Sequence, residues 1–183
     1  MRVISGKYRG LVLAEFKGQD IRPTSDRVKE SLFNILGFNL AESTVLDLFC
    51  GSGNLGIESL SRGAKKVHFN DLARASLSVL EKNLAKLKGD KDVKITCQDY
   101  IACLNSTPLT YDIIFMDAPY ALDVLEKSLE IIRRRNLLNK GGIVVYERDR
   151  LCDKNIEGFN LYDERKYGKI TLSFFALNGE DYE

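Results

Sequence analysis

At 183 residues, 44% of them hydrophobic, and with a formal net charge of +1, the chain has the size of one compact domain with a substantial core. No apolar run approaches the ~20 residues that cross a bilayer, and the near-zero charge offers no whole-molecule field to attract a polyanion, so nucleic acid would need a local patch. Cys50, Cys97, Cys103 and Cys152 form no Cys-x-x-Cys pair and His68 is the single histidine, which argues against a zinc site and for reduced thiols.

Residues 1–6 lack the apolar segment of a signal peptide, and a cytoplasmic chain is expected. Arg2, Lys7 and Arg9 fall among the first ten residues with no acid between them. Val3 and Ile4 before Gly6, with Leu11 and Leu13 after Gly10, predict a small hairpin with basic tips. Pro23 then holds the chain extended, Thr24 or Ser25 can cap a helix, and Asp26 falls in its first turn. Val28, Leu32, Phe33, Ile35 and Leu36 give that helix one apolar side, and Gly37 ends it. Arg22, Arg27 and Lys29 join the basic residues here as candidates for phosphate contacts.

After a soft boundary near residues 40–43, strands and helices alternate. Val45, Leu46, Leu48 and Phe49 suit a buried parallel strand. Gly51, Ser52 and Gly53 turn the chain, and residues 57–62 have helical spacing. Strands are expected at 66–71, 93–97, 111–116 and 143–146, the last led in by Gly141-Gly142. Helices are expected at 74–86 and 124–133, with a short one after Gln98-Asp99. Residues 159–162 and 170–177 read as a closing hairpin. The pattern predicts a mostly parallel sheet covered on both faces. Arg133-Arg134-Arg135 suits a helix C-terminus better than RNA.

Gly51, Gly53 and Gly56 spell G-x-G-x-x-G, and Asp71 follows at the next strand end, as in a dinucleotide fold. Asp47 disfavours that reading, because a pyrophosphate would meet like charge at the strand mouth. An ammonium would be favoured there, and S-adenosylmethionine offers one together with ribose hydroxyls for Asp71. Asp99 and Asp117 also fall at strand ends, where open parallel sheets bind ligands. Capping of the next helix is a fair alternative for Asp99 and a poor one for Asp117, whose neighbours Pro119 and Tyr120 stiffen the loop and supply an aromatic face. Single acids on separate strands are a weak magnesium pattern. Cys50 reads as a packing residue, with no histidine to activate it.

Asp47-Leu-Phe-Cys-Gly-Ser-Gly53 with Asp117-Ala-Pro-Tyr120 resembles the class I S-adenosylmethionine-dependent amino-methyltransferases. Arg2-Val-Ile-Ser-Gly6 with Arg9-Gly10, Arg22-Pro-Thr24, Arg27-Val-Lys-Glu30, Phe33-Asn34 and Tyr167-Gly168 narrow the resemblance, over essentially the whole chain, to the RsmD-like bacterial family. That family methylates a guanine N2 of 16S ribosomal RNA. The resemblance implies an α/β, Rossmann-like class I fold with a C-terminal antiparallel strand. It also implies a hairpin-helix extension over residues 1–40, contacting RNA and packed on a methyltransferase domain over 41–183. It assigns Asp47, Gly51 and Gly53 to the methionine side of the cofactor, Asp71 to the ribose and Asp99 to the adenine amine. Phe49, Cys50, Ser52, Leu72 and Tyr100 complete the cofactor set. Asp117, Ala118, Pro119 and Tyr120 would hold the target base, and Arg2, Lys7, Arg9, Arg22, Thr24 and Arg27 the RNA. The family usually has proline at 118 and an acid at 73. Ala118 keeps the backbone carbonyl and, preceding Pro119, an extended bias. A monomer acting on RNA within a small-subunit particle, without metal or membrane, is expected. The rivals are a DNA adenine-N6 methyltransferase, a nicotinamide-dependent dehydrogenase and a non-catalytic RNA-binding protein.

Overall fold

The computed structural model describes residues 1–15, 26–89, 91–152 and 155–179. Its centre is a seven-stranded sheet built from β1 (Thr44–Asp47), β2 (Lys66–Asp71), β3 (Asp92–Cys97), β4 (Tyr111–Met116), β5 (Leu138–Arg148), β6 (Phe159–Tyr167) and β7 (Ile170–Leu177). The spatial order is β3-β2-β1-β4-β5-β7-β6. The first five strands run parallel, and β7 enters antiparallel between β5 and β6. Order reverses between β1 and β4, where a doubly wound sheet opens a crevice beyond its strand ends.

Among the described residues five α-helices cover the sheet: α1 (Asp26–Leu36), α2 (Asn54–Ser61), α3 (Arg74–Ala85), α4 (Tyr100–Ser106) and α5 (Leu125–Arg134). Strand side chains alternate between faces, and the core is accordingly two clusters. On one face Val45, Ile113, Phe115, Ile143 and Val145 pack with Leu32 and Phe33 of α1, Ile57 of α2 and Leu77 and Leu80 of α3. On the other, Leu46, Ile114 and Val144 meet Leu104 of α4 and Leu125, Leu129 and Ile132 of α5. Among the described residues no helix is long and apolar enough to cross a membrane.

The strands at 66–71 and 111–116 and the closing hairpin lie where the apolar pattern predicts them. β5 differs: it begins at Leu138, so Gly141 and Gly142 sit inside it, at the register shift against β4 between Tyr111 and Ile113. Two glycines in a strand mark a local irregularity rather than its start. The N-terminal hairpin is reduced to one antiparallel bridge, Arg2 to Val12. Val3 and Leu13 are nonetheless buried in the first core cluster, so this segment is built into the domain.

Lys29 departs from the expected surface position. It is fully buried, with its ammonium 3.3 Å from Glu58, 2.8 Å from Asn54 Oδ1 and against the Arg2 carbonyl. Lys29 stands at helical spacing with Leu32, Phe33 and Leu36, on the inward side of α1, and the Arg2 carbonyl of the N-terminal segment helps enclose it. Lys29 is therefore a structural cation and not a phosphate contact. Burial pulls its pKa below the usual lysine value, opposed by Glu58.

Candidate active site

The glycine turn joins β1 to α2 at the crevice. Gly51 has φ +54 with open space where a Cβ would project, so the turn exposes backbone to whatever lies beyond the strand ends. Gly56 is needed for a different reason: a Cβ there would fall 2.2 Å from the Phe69 ring, closing the gap between α2 and β2. Gly53 N–H donates to the Cys50 carbonyl at 2.7 Å. Cys50 is buried and its thiol pKa is raised well above normal by burial, as befits a packing residue. Ser52 is partly exposed, and its carbonyl accepts from Asn83 Nδ2 at 3.0 Å.

Strand-end carboxylates hold this turn. Asp71 Oδ2 accepts from Gly51 N–H at 2.8 Å and Oδ1 from Ala73 N–H at 2.7 Å. Leu72 beside it is 71% exposed, an apolar side chain left at the crevice. Asp47 is 1% exposed and its Oδ2 accepts from Gly56 N–H at 2.9 Å. Burial raises its pKa to about 7, against the Gly56 hydrogen bond and with added repulsion from Asp71. Asp99 caps α4 by accepting from Ile101 N–H at 2.9 Å, and is exposed. Tyr100 packs on Phe49 with ring centroids 5.6 Å apart.

Asp117, Ala118, Pro119 and Tyr120 follow β4. Ala118 is buried, whereas Pro119 and Tyr120 are exposed. Asp117 is partly buried, and its pKa stands well above the usual carboxylate range because of burial, then the nearby Glu147 and Asp47 charges. Tyr120 OH lies 3.4 Å from Glu147 Oε1. Sequence reasoning stopped the fifth strand at Tyr146 and so missed Glu147. The signal was the next residue, an acid at the mouth of a strand. It also missed Asn70, which ties three strand ends together: its Nδ2 donates to Leu48 and Gln98 carbonyls at 3.1 and 3.0 Å, and its Oδ1 accepts from Thr96 at 2.8 Å.

Of the basic residues, Arg2 pairs with Asp26 at 2.8 Å and Arg27 is exposed on the first turn of α1. Lys7 and Arg9 are exposed at the hairpin tip, where Lys7 N–H meets the Ser61 carbonyl at 2.7 Å. That is the end of α2 remote from the glycine turn, about 12 Å along the helix axis. Arg22 and Thr24 lie outside the described residues. Arg133, Arg134 and Arg135 engage Glu157, Asn105 and the Leu104 carbonyl respectively. Among the described residues no group of three His, Cys, Asp or Glu side chains is arranged to hold a metal ion.

Comparison with known proteins places this geometry. The model of the family described as conserved hypothetical protein 95 matches residues 1–176. Ribosomal RNA small subunit methyltransferase D of Haemophilus influenzae is 32% identical over 96% of this chain and 93% of its own length. The protein of that name in Escherichia coli K12 is 32% identical over 81% and 75%. The solved structure of the Escherichia coli yhhF protein, described as a methyltransferase, superposes with a TM-score of 0.87 at 28% identity, covering 98% of this chain and 99% of that one. The sheet order, the antiparallel β7 and these neighbours make the fold the Rossmann-like class I methyltransferase fold. The chain belongs to the conserved hypothetical protein 95 family, the RsmD-like family to which its N-terminal and fourth-strand motifs point.

Proposed function

We propose that this protein transfers a methyl group from S-adenosylmethionine to the N2 amine of a guanine in 16S ribosomal RNA, as a cytoplasmic monomer acting during small-subunit maturation. The observation that carries the reading is the Asp117–Tyr120 segment at the mouth of β4, beside the glycine turn held by Asp47 and Asp71. The names of the H. influenzae and E. coli relatives support the substrate class.

The residues present fit the cofactor. Open space at Gly51, a partly exposed Asp71 carboxylate and the exposed Leu72 provide room, hydroxyl acceptors and an apolar face. Asp47, Gly51 and Gly53 would take the methionine end, Asp71 the ribose and Asp99 the adenine amine, with Phe49, Ser52 and Tyr100 alongside. When bound, S-adenosylmethionine supplies a methyl on a positively charged sulfur. The protein's part is alignment, which contributes up to roughly 7–11 kcal/mol in ideal systems. The guanine amine is a poor nucleophile because its lone pair is delocalised into the ring. Asp117 and the Ala118 carbonyl would accept its two N–H groups and favour a pyramidal nitrogen, and the proton the amine sheds on methylation would pass to the Asp117 carboxylate. Tyr120, exposed at the loop tip, stacks on the base, worth ~1–3 kcal/mol. The base must be unstacked to reach this crevice. Arg2 and Arg27 at the start of α1, and Lys7 and Arg9 at the hairpin tip, would supply phosphate contacts.

Labelled methyl transfer into small-subunit particles, naked ribosomal RNA and duplex DNA, with mass spectrometry of the nucleosides, tests this. N2-methylguanosine from an RNA-containing substrate is expected. Label found as N6-methyladenosine in DNA would overturn the reading.

A further inference from the structure

Glu147 is a second carboxylate at the mouth of the sheet, beside Asp117. β4 and β5 are parallel neighbours with Met116 opposite Tyr146, so Asp117 and Glu147 come next on each strand, side by side at about 4.8 Å backbone spacing. Side-chain alternation puts both on the face of Phe115 and Val145. Glu147 is only 4% exposed, and the hydroxyl of Tyr120 reaches its Oε1. Two carboxylates side by side at one crevice suit a ligand edge that presents a donor to each. Asp117 and the Ala118 carbonyl already satisfy the two N–H groups of an exocyclic amine.

We propose that Glu147 is the specificity-determining residue, accepting the N1–H of guanine while Asp117 and Ala118 hold the N2 amine. Guanine presents N1–H and N2–H as adjacent donors on one edge, matched by carboxylates on adjacent strands. Adenine, and any purine without N1–H, turns a lone pair toward Glu147 and is repelled. The Tyr120 hydroxyl holds Glu147 in place, so the residue that stacks on the base also orients the group that reads it. This inference rests on guanine N2 being the methyl acceptor.

The test uses RNA carrying either guanine or 2-aminopurine at the position the wild-type protein methylates. 2-Aminopurine keeps the N2 amine but has a lone pair at N1. Wild-type protein is expected to favour guanine by at least about 100-fold in kcat/KM, the range set by an unpaired buried polar group. In Glu147→Gln the side-chain amide can donate to the 2-aminopurine N1 and in its other orientation accept from guanine N1–H, so the preference shrinks by about 100-fold. Glu147→Asp, which keeps the carboxylate, retains the preference at reduced rate. Equal losses on both bases in Glu147→Gln would overturn the inference and leave the function standing. Should that variant fail to fold, a wild-type protein indifferent to the two bases would overturn it as well. Absence of any methyl on guanine removes the function and the inference together.

Discussion

Asp117 and Asp71 sit at strand ends along one rim yet fail differently when removed. Asp117→Ala should lower the single-turnover methyl-transfer rate by about 100-fold or more, the scale of losing one aligned polar group in a transition state, with cofactor affinity nearly unchanged. Asp71→Ala should weaken cofactor binding first, because the proposed ribose acceptor is lost and the Gly51 and Ala73 N–H groups are freed. Calorimetry with the cofactor beside rapid-quench kinetics separates the two. Identical losses in both variants would contradict the assignment. Asp47 supplies a pH signature. Its folded-state pKa of about 7 lies above the 3.8 of a free carboxyl, so the folded protein binds that proton more tightly than the unfolded chain. The stability this gives is full below the free value and is lost as pH rises through about 7. An ammonium beside Asp47 favours the ionised form, so cofactor affinity should rise with pH across this window, with proton release visible as a buffer-dependent binding enthalpy. A pH-independent affinity would place the ammonium elsewhere.

Among the elements, α2 carries more than its glycine turn. Glu58, fully buried, accepts from Ile4 and Ser5 N–H at 2.8 and 3.0 Å, pairs with Arg62 at 2.8 Å, and faces Lys29. Glu58→Ala leaves a buried ammonium without its counter-charge and two backbone donors unmatched, and should cost about 3–5 kcal/mol in urea unfolding. A loss below about 1 kcal/mol would mean water reaches the network. This cluster explains where sequence reading succeeds and stops. The apolar run of β4 is legible because its burial on both faces leaves a local signature. Lys29 and Glu58 are not: Lys29 shares the inward face of α1 with Leu32, Phe33 and Leu36, but the partners that let either charge be buried lie on a segment more than twenty positions away, which local pattern does not show. Glu147 escaped for a related reason: β5 runs past its apolar stretch, and only pairing with β7, Glu147 opposite Leu172, extends it. The strand-end positions of Asp47, Asp71 and Asp117 are legible because sequence pattern locates where a strand stops.

At the scale of the whole molecule, a net charge of +1 means that RNA affinity must come from the distribution of charge rather than its sum. Val3 and Leu13 belong to the core, so point changes test the basic patch better than deletion of the segment. A Lys7→Gln, Arg9→Gln double variant should bind small-subunit RNA more weakly. The slope of log affinity against log salt should fall by up to about 1.4, roughly 0.7 for each phosphate on single-stranded RNA that is no longer neutralised. An unchanged slope would remove the hairpin tip from the interface, leaving Arg2 and Arg27. The account as a whole requires one crevice to hold both donor and acceptor. A crystal structure with S-adenosylmethionine bound tests this most directly. The account predicts the methionine end at Asp47 and the glycine turn, the ribose on Asp71 and the methyl facing Asp117 to Tyr120. A cofactor seated elsewhere, or a methyl directed away from that segment, would contradict it.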